Sequence, residues 1–153
     1  MNWLPLDGIK VADFSALIPG PFCSAILSDL GADVIKIEPP RGDSARSLLP
    51  AIFHAANRNK RSIALDLKHA QAKPVIERLA KWADIAIESN RPGVSARLGI
   101  DYASLSALNP RLIYCGISPF GEKGPLAGLP GSELVVQAQS NNWAGLGVIG
   151  EAP

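Results

Sequence analysis

Side chains able to do covalent or acid–base chemistry are few and scattered in this sequence. His54 and His69 stand apart from each other and from Cys23 and Cys115, at spacings no zinc site uses, so no metal is expected. Both cysteines lie in apolar segments far apart in the chain, which reads as buried thiols rather than a disulfide. The histidines read as surface or boundary residues. Asn57-Arg58-Asn59-Lys60-Arg61 concentrates positive charge as a phosphate or nucleic-acid patch would, but such a run ahead of a strand is more often a solvated edge. Glu133 could act as a base; in the first turn of a helix, a glutamate more often complements the helix dipole. Asp13 closes an apolar run and fits a residue that pairs with a backbone N–H or caps the next element.

The familiar phosphate loops are absent. The turn after the first apolar run is Ser15-Ala16-Leu17-Ile18-Pro19-Gly20-Pro21, not the G-x-G-x-x-G that admits a pyrophosphate to a helix N-terminus. No G-x-x-x-x-G-K-[ST] serves a nucleoside triphosphate, and no G-x-S-x-G forms a nucleophile elbow.

The elements that must position any site alternate between strand and helix. Strands are expected at 8–14, 32–38, 62–67, 84–88 and 112–118. Helices are expected from Phe22 to Leu30 with Gly31 as a left-handed cap, from Ala70 to Ala83, from Pro92 to Leu98, from Tyr102 to Leu108 and from Glu133 to Ala144. The segment from Arg41 to about Arg61 reads as a long polar connection. This order implies an α/β fold, a Rossmann-like parallel sheet with helices on both faces. Such sheets bind ligands beyond the carboxyl ends of their strands. The segments to watch are therefore 15–21, 38–43, 66–69, 88–97 and 118–131.

Composition narrows the function classes. Of 153 residues, 47% are apolar and 19% charged, with a formal net charge of +1, as in a soluble globular domain. That balance gives no support for nucleic-acid or membrane-surface binding. No stretch approaches the roughly 18 consecutive apolar residues of a spanning helix. The opening residues, Met1 to Gly8, lack the basic-then-apolar pattern of a signal peptide, so a cytoplasmic protein is expected.

The residues themselves then resemble a family. Leu6-Asp7-Gly8-Ile9-Lys10-Val11-Ala12-Asp13-Phe14 is similar to the opening of the family III coenzyme A transferases, a group that includes formyl-CoA and carnitinyl-CoA transferases and α-methylacyl-CoA racemase. The resemblance continues through Gly20-Pro21, the run from Leu30 to Pro40, Gly42-Asp43, and Asn59-Lys60-Arg61-Ser62-Ile63-Ala64-Leu65-Asp66-Leu67. Arg91-Pro92-Gly93, Leu98-Gly99, the run from Leu108 to Tyr114, and Gly121 with Gly124-Pro125 complete it in order and spacing.

The resemblance implies that residues 1–153 are the N-terminal, CoA-binding part of the family's large domain. Carried over by position, contacts to CoA or acyl-CoA fall at Leu17, Leu65, Leu67, Lys68, Asn90, Arg97 and Leu98. CoA phosphates want Arg or Lys nearby, and adenine wants apolar walls. The sequence departs from the family at Ser89-Asn90, where an Asn-Phe pair is frequent, so an aromatic that could cover adenine is missing. Ser132-Glu133 stands where racemases of the family place His-Asp, which removes a histidine base and makes a racemase or isomerase the weakest alternative.

The family's transferases attack acyl-CoA with an aspartate and carry the acyl group as a mixed anhydride. No aspartate here matches it; by the resemblance it follows the segment matching Gly150-Glu151-Ala152-Pro153. The chain alone is thus expected to bind CoA without turning it over. The alternative is a stand-alone CoA- or nucleotide-binding module, or a pseudoenzyme. Trp143, beside Gly145, Leu146 and Gly147, is expected to pack a helix end. An apolar patch in that region would let copies of the chain associate.

Overall fold

A computed structural model describes residues 4–140. Five strands, β1 (Lys10–Asp13), β2 (Asp33–Glu38), β3 (Arg61–Ala64), β4 (Ile85–Glu88) and β5 (Ile113–Gly116), form one sheet in the order β3-β2-β1-β4-β5. Every pairing is parallel. Parallel neighbours need a crossover, and helices supply each one: α1 (Pro19–Asp29), α2 (Ala45–Leu48) with α3 (Pro50–Ala56), α4 (Lys73–Trp82), and α5 (Val94–Leu98) with α6 (Tyr102–Leu108). The chain builds outward from β1 to β3, then returns to place β4 on the other side of β1. That reversal makes a switch point between β1 and β4, where the crevice of an open α/β sheet lies.

Period-two alternation sorts the strand residues between two cores. Val11, Val34 and Ile87 face α1, where Cys23 and Leu27 pack on them. Ala12, Ile37 and Ala86 face the other way, against Ile76, Leu79 and Ala80 of α4 and Leu105 of α6. Helices on both faces thus hold the sheet as its periodicity predicts.

Helix α1 is inside out for an amphipathic helix. Gly20, Pro21, Ser24, Ala25 and Ser28 are buried, while Ile18, Phe22, Ile26 and Leu30, each four residues apart, are exposed. Small residues are what the close approach to the sheet demands. A Cβ on Gly20 would lie 2.2 Å from Ser15 Cβ, so no larger residue fits there.

Several boundaries differ from expectation. The connection from Arg41 to Arg61 is not irregular but holds α2 and α3. These short helices depend on tertiary contacts: Arg46 forks onto Glu38 at 2.7 and 2.8 Å and stacks 4.2 Å from the Phe53 ring. Gly42, at φ +79°, makes the turn ahead of them. Strand β3 stops at Ala64, which releases Leu65–Leu67 into the loop beyond. Helix α1 begins at Pro19, the proline filling a first-turn position whose N–H would have no partner. The helix expected from Ala70 starts as a 3-10 turn (Ala70–Ala72) and becomes α-helical at Lys73.

The chain divides into two compact units, one ending at Ile117 and the other starting at Ser118. The second opens with Gly/Pro-rich turns, such as the bond from the Ala127 N–H to the Gly124 carbonyl at 3.2 Å. Helix α7 (Glu133–Gln139) follows. The remainder of the helix expected to Ala144, and Trp143 with its neighbours, lie outside the described residues.

Candidate functional site

A cavity of about 260 Å³ opens at the carboxyl ends of β1, β2, β3 and β4. Its walls come from four loops and the strand ends before them: Phe14–Ala16 after β1, Glu38 at the end of β2 with Pro39 and Asp43 beyond it, Leu65–Lys68 after β3, and Asn90 after β4. Leu98 of α5 and the strand residues Lys36 and Ile37 complete it.

The loop after β1 has no glycine to spare its backbone, and other loops hold it instead. The Ser15 N–H donates to Asp13 Oδ1 at 3.0 Å, and the Ser15 hydroxyl donates to the same oxygen. Lys36 Nζ donates to the Ser15 carbonyl at 2.9 Å. The Ala16 N–H donates to Ser89 Oγ at 3.0 Å, and the Leu17 N–H reaches both Asp43 oxygens at 3.2 Å. These N–H groups are consumed internally. Pro19 and Pro21 contribute none at the start of α1. This turn therefore cannot cradle a pyrophosphate as a glycine-rich loop does.

Two buried ion pairs underlie the loop. Lys36 pairs with Asp43 at 3.0 Å, and Lys60 with Asp13 at 3.2 Å, all four side chains being 2% exposed or less. Lys60 thus corrects the reading of 57–61 as a solvated edge: Arg58 and Arg61 lie at the surface on Asp29 and Asp33, but Lys60 points into the core. Burial lowers the Lys60 pKa, and Asp13 opposes that shift. Asp13 itself is structural, accepting also from the Ser24 hydroxyl.

Glu38 closes the β2 side. It accepts from Arg46, from the Ser62 hydroxyl at 2.6 Å and from the Asp43 N–H at 2.9 Å. The Arg46 guanidinium is the chief cause that holds its pKa down at about 2, from an ordinary 4.5, against a burial effect that would raise it. On the β4 side, Glu88 accepts from the Asn90 N–H at 2.8 Å and the Ser95 hydroxyl at 2.6 Å, while Asn90 Nδ2 donates to Ser95 Oγ at 3.0 Å. Burial, then Glu88, raises the pKa of the Tyr114 phenol.

Five of the seven residues expected to contact a coenzyme come together in this lining: Leu65, Leu67, Lys68, Asn90 and Leu98. Leu17 and Arg97 lie outside it. Leu17 follows directly on the lining residue Ala16, in a left-handed conformation at φ +66°. Arg97 is exposed in the last turn of α5, next to Leu98. Lys68 is exposed, and neither its ammonium nor the Arg97 guanidinium has an ion-pair partner among the described residues. Lys36, Glu38 and Asp43 were not among the expected contacts. For Lys36 and Glu38 the signal was present in Ile35-Lys36-Ile37-Glu38, where charges alternate with apolar residues in a strand buried on both faces; Asp43 lies beyond that strand, in the loop after it.

The remaining chemistry-bearing residues stay apart from the cavity. His54 and His69 are exposed, and His69 Nδ1 caps the 3-10 turn by accepting from the Gln71 N–H. Cys23 and Cys115 are free, half-buried thiols. No cluster of metal-ligating side chains occurs among the described residues. Of the lining carboxylates, Glu38 and Asp43 are engaged by side chains and N–H groups of other loops, while the exposed Asp66 accepts from the Lys68 N–H at 3.0 Å, so the cavity combines apolar walls, fixed polar groups and the exposed ammonium of Lys68.

Comparison with known proteins accords with this fold. A family model described as CoA-transferase family III matches residues 6–152. The succinate–glutarate CoA-transferase of Agrobacterium fabrum is 41% identical over 150 residues, covering 89% of this chain and 38% of that protein. The acetyl-CoA:oxalate CoA-transferase of Acetobacter aceti is 44% identical over 143 residues, covering 89% of this chain and 37% of the relative. Among solved structures, Rv3272 from Mycobacterium tuberculosis superposes with a TM-score of 0.92 at 40% identity, covering 98% of this chain and 44% of that one. The chain thus spans less than half the length of these relatives. With the match running over nearly all its residues, the chain belongs to CoA-transferase family III.

Proposed function

We propose that these residues are the CoA-binding part of an acyl-CoA:carboxylate CoA-transferase, with a CoA thioester as substrate and the aspartate nucleophile supplied from outside residues 1–153. The observation that carries the reading is the cavity at the switch point, walled by Leu65, Leu67 and Leu98, with the unpaired Lys68 in its lining and the unpaired Arg97 next in sequence to Leu98. At about 260 Å³ it takes one portion of CoA, the nucleobase or the pantetheine arm, and leaves the phosphates to the rim. Calorimetric titration with CoA tests it. Saturable binding is expected, weakened about tenfold by Lys68→Ala or Arg97→Ala through loss of a charge-assisted contact. Affinity indifferent to both substitutions would overturn the site.

Transfer of CoA between carboxylic acids by these residues alone would contradict the second half of the proposal. The engaged state of Glu38 and Asp43 favours one other reading, a module that binds CoA without chemistry. A cytoplasmic setting belongs to the same proposal, supported by two thiols left unlinked. No helix among the described residues is long and apolar enough to cross a membrane. Association of copies is proposed through the apolar stripe of α1, because exposed apolar faces of this kind mark interaction surfaces.

A further inference from the structure

We propose that the buried Lys36–Asp43 ion pair is a positioning device for the CoA cavity, holding Ser15 and Ala16 of its β1 wall, and Leu17 directly behind them in sequence, in the shape the cavity needs. The inference rests on the reading of that cavity as the CoA site.

Two residues of this wall, Ser15 and Ala16, and the next one, Leu17, are tied down by side chains from other strands and loops. Lys36 of β2 takes the Ser15 carbonyl, Ser89 takes the Ala16 N–H, and Asp43 takes the Leu17 N–H. Leu17 needs such a restraint, because its φ of +66° is a conformation that a Cβ-bearing residue adopts only when its surroundings impose it. Asp43 is preset for the task. Its own N–H is bonded to Glu38, its Oδ1 accepts from the Ala45 N–H at 2.9 Å, and its Oδ2 meets Lys36 at 3.0 Å. Lys36 and Asp43 therefore connect the loops after β1 and β2 across the cavity that both residues line.

A buried ion pair can be taken apart so that stability and position separate. Removing one partner strands a charge and destabilises the fold, whereas replacing both with apolar residues of similar size is often neutral. Lys36→Met, Asp43→Leu and the double variant are compared by thermal midpoint, by amide exchange at Leu17 without ligand, and by CoA titration. Exchange is read at a temperature where every variant is folded.

The single variants are expected to melt early and the double variant to regain most of the loss. In the double variant the Leu17 amide is nevertheless expected to exchange faster. Its CoA affinity is expected to fall about tenfold, the order of effect of releasing one strained residue. Asp33→Asn, which cuts the exposed Arg61 pair at the other end of β2, is expected to leave both readouts unchanged. Wild-type exchange at Leu17 in the double variant, or faster exchange with CoA affinity intact, would overturn the positioning role. Failure of the unsubstituted protein to bind CoA would instead overturn the coenzyme reading, since the exchange measurement needs no ligand.

Discussion

At the scale of single residues, the site depends on close approaches and on charges that are already spent. Gly20 lets α1 start against Ser15, and a methyl there would sit 2.2 Å from the Ser15 Cβ. Gly20→Ala is therefore expected to destabilise the fold by about 1–3 kcal/mol, read from the urea midpoint. Glu38 gives a pH-dependent handle. Its folded pKa, about 2, lies below the ordinary 4.5, so its contribution is present in full above pH 4.5 and lost as pH falls towards 2. The thermal midpoint of the unsubstituted protein should drop across that acid window more steeply than that of Glu38→Gln. Parallel acid limbs would show that the Arg46 pair does not carry this share of stability. Lys60 illustrates what could not be read from the chain. Its run looks like a solvated edge, and only the fold brings it to Asp13, 47 residues earlier.

At the scale of elements, legibility follows from where the stabilising contacts lie. Apolar runs marked all five strands, those of β1, β2 and β5 flanked by glycine or proline, and α6 was readable to the residue. Helix α4 was legible because Ile76 and Leu79 recur on one face, and that face meets the sheet. Ile76→Ala is accordingly expected to cost about 2–5 kcal/mol by denaturant titration. Helices α2 and α3 were not legible. They are too short to form by propensity, and their support, Arg46 on Glu38 and Phe53, comes from across the fold. The end of β3 was also misplaced, because the alternation in Ser62–Leu67 persists past the last ladder bond. That error falls at the site itself. Leu65 and Leu67 line the cavity because the strand has already ended. The strand-end loops could be named in advance from topology alone, while the tie between Asp43 and Leu17 joins two loops that no local pattern couples.

At the scale of the whole molecule, α1 has the most consequence for assembly. Its small residues, with Leu27, face the sheet, while Phe22 and Ile26 face outward. Sedimentation velocity is expected to show concentration-dependent association that Phe22→Glu with Ile26→Glu reduces. A protein that is monomeric without these substitutions would exclude that surface as an association face. The five-stranded order places the cavity at the switch point, and the sequence relatives from Agrobacterium fabrum and Acetobacter aceti are CoA-transferases by name. The most direct test of the central claim is an amide NMR titration with CoA. Shifts should concentrate on residues 14–17, 65–68, 90 and 97–98, at the carboxyl ends of β1, β3 and β4. Saturable shifts confined to other surfaces, or none in a folded protein, would contradict the assignment of this cavity to the coenzyme.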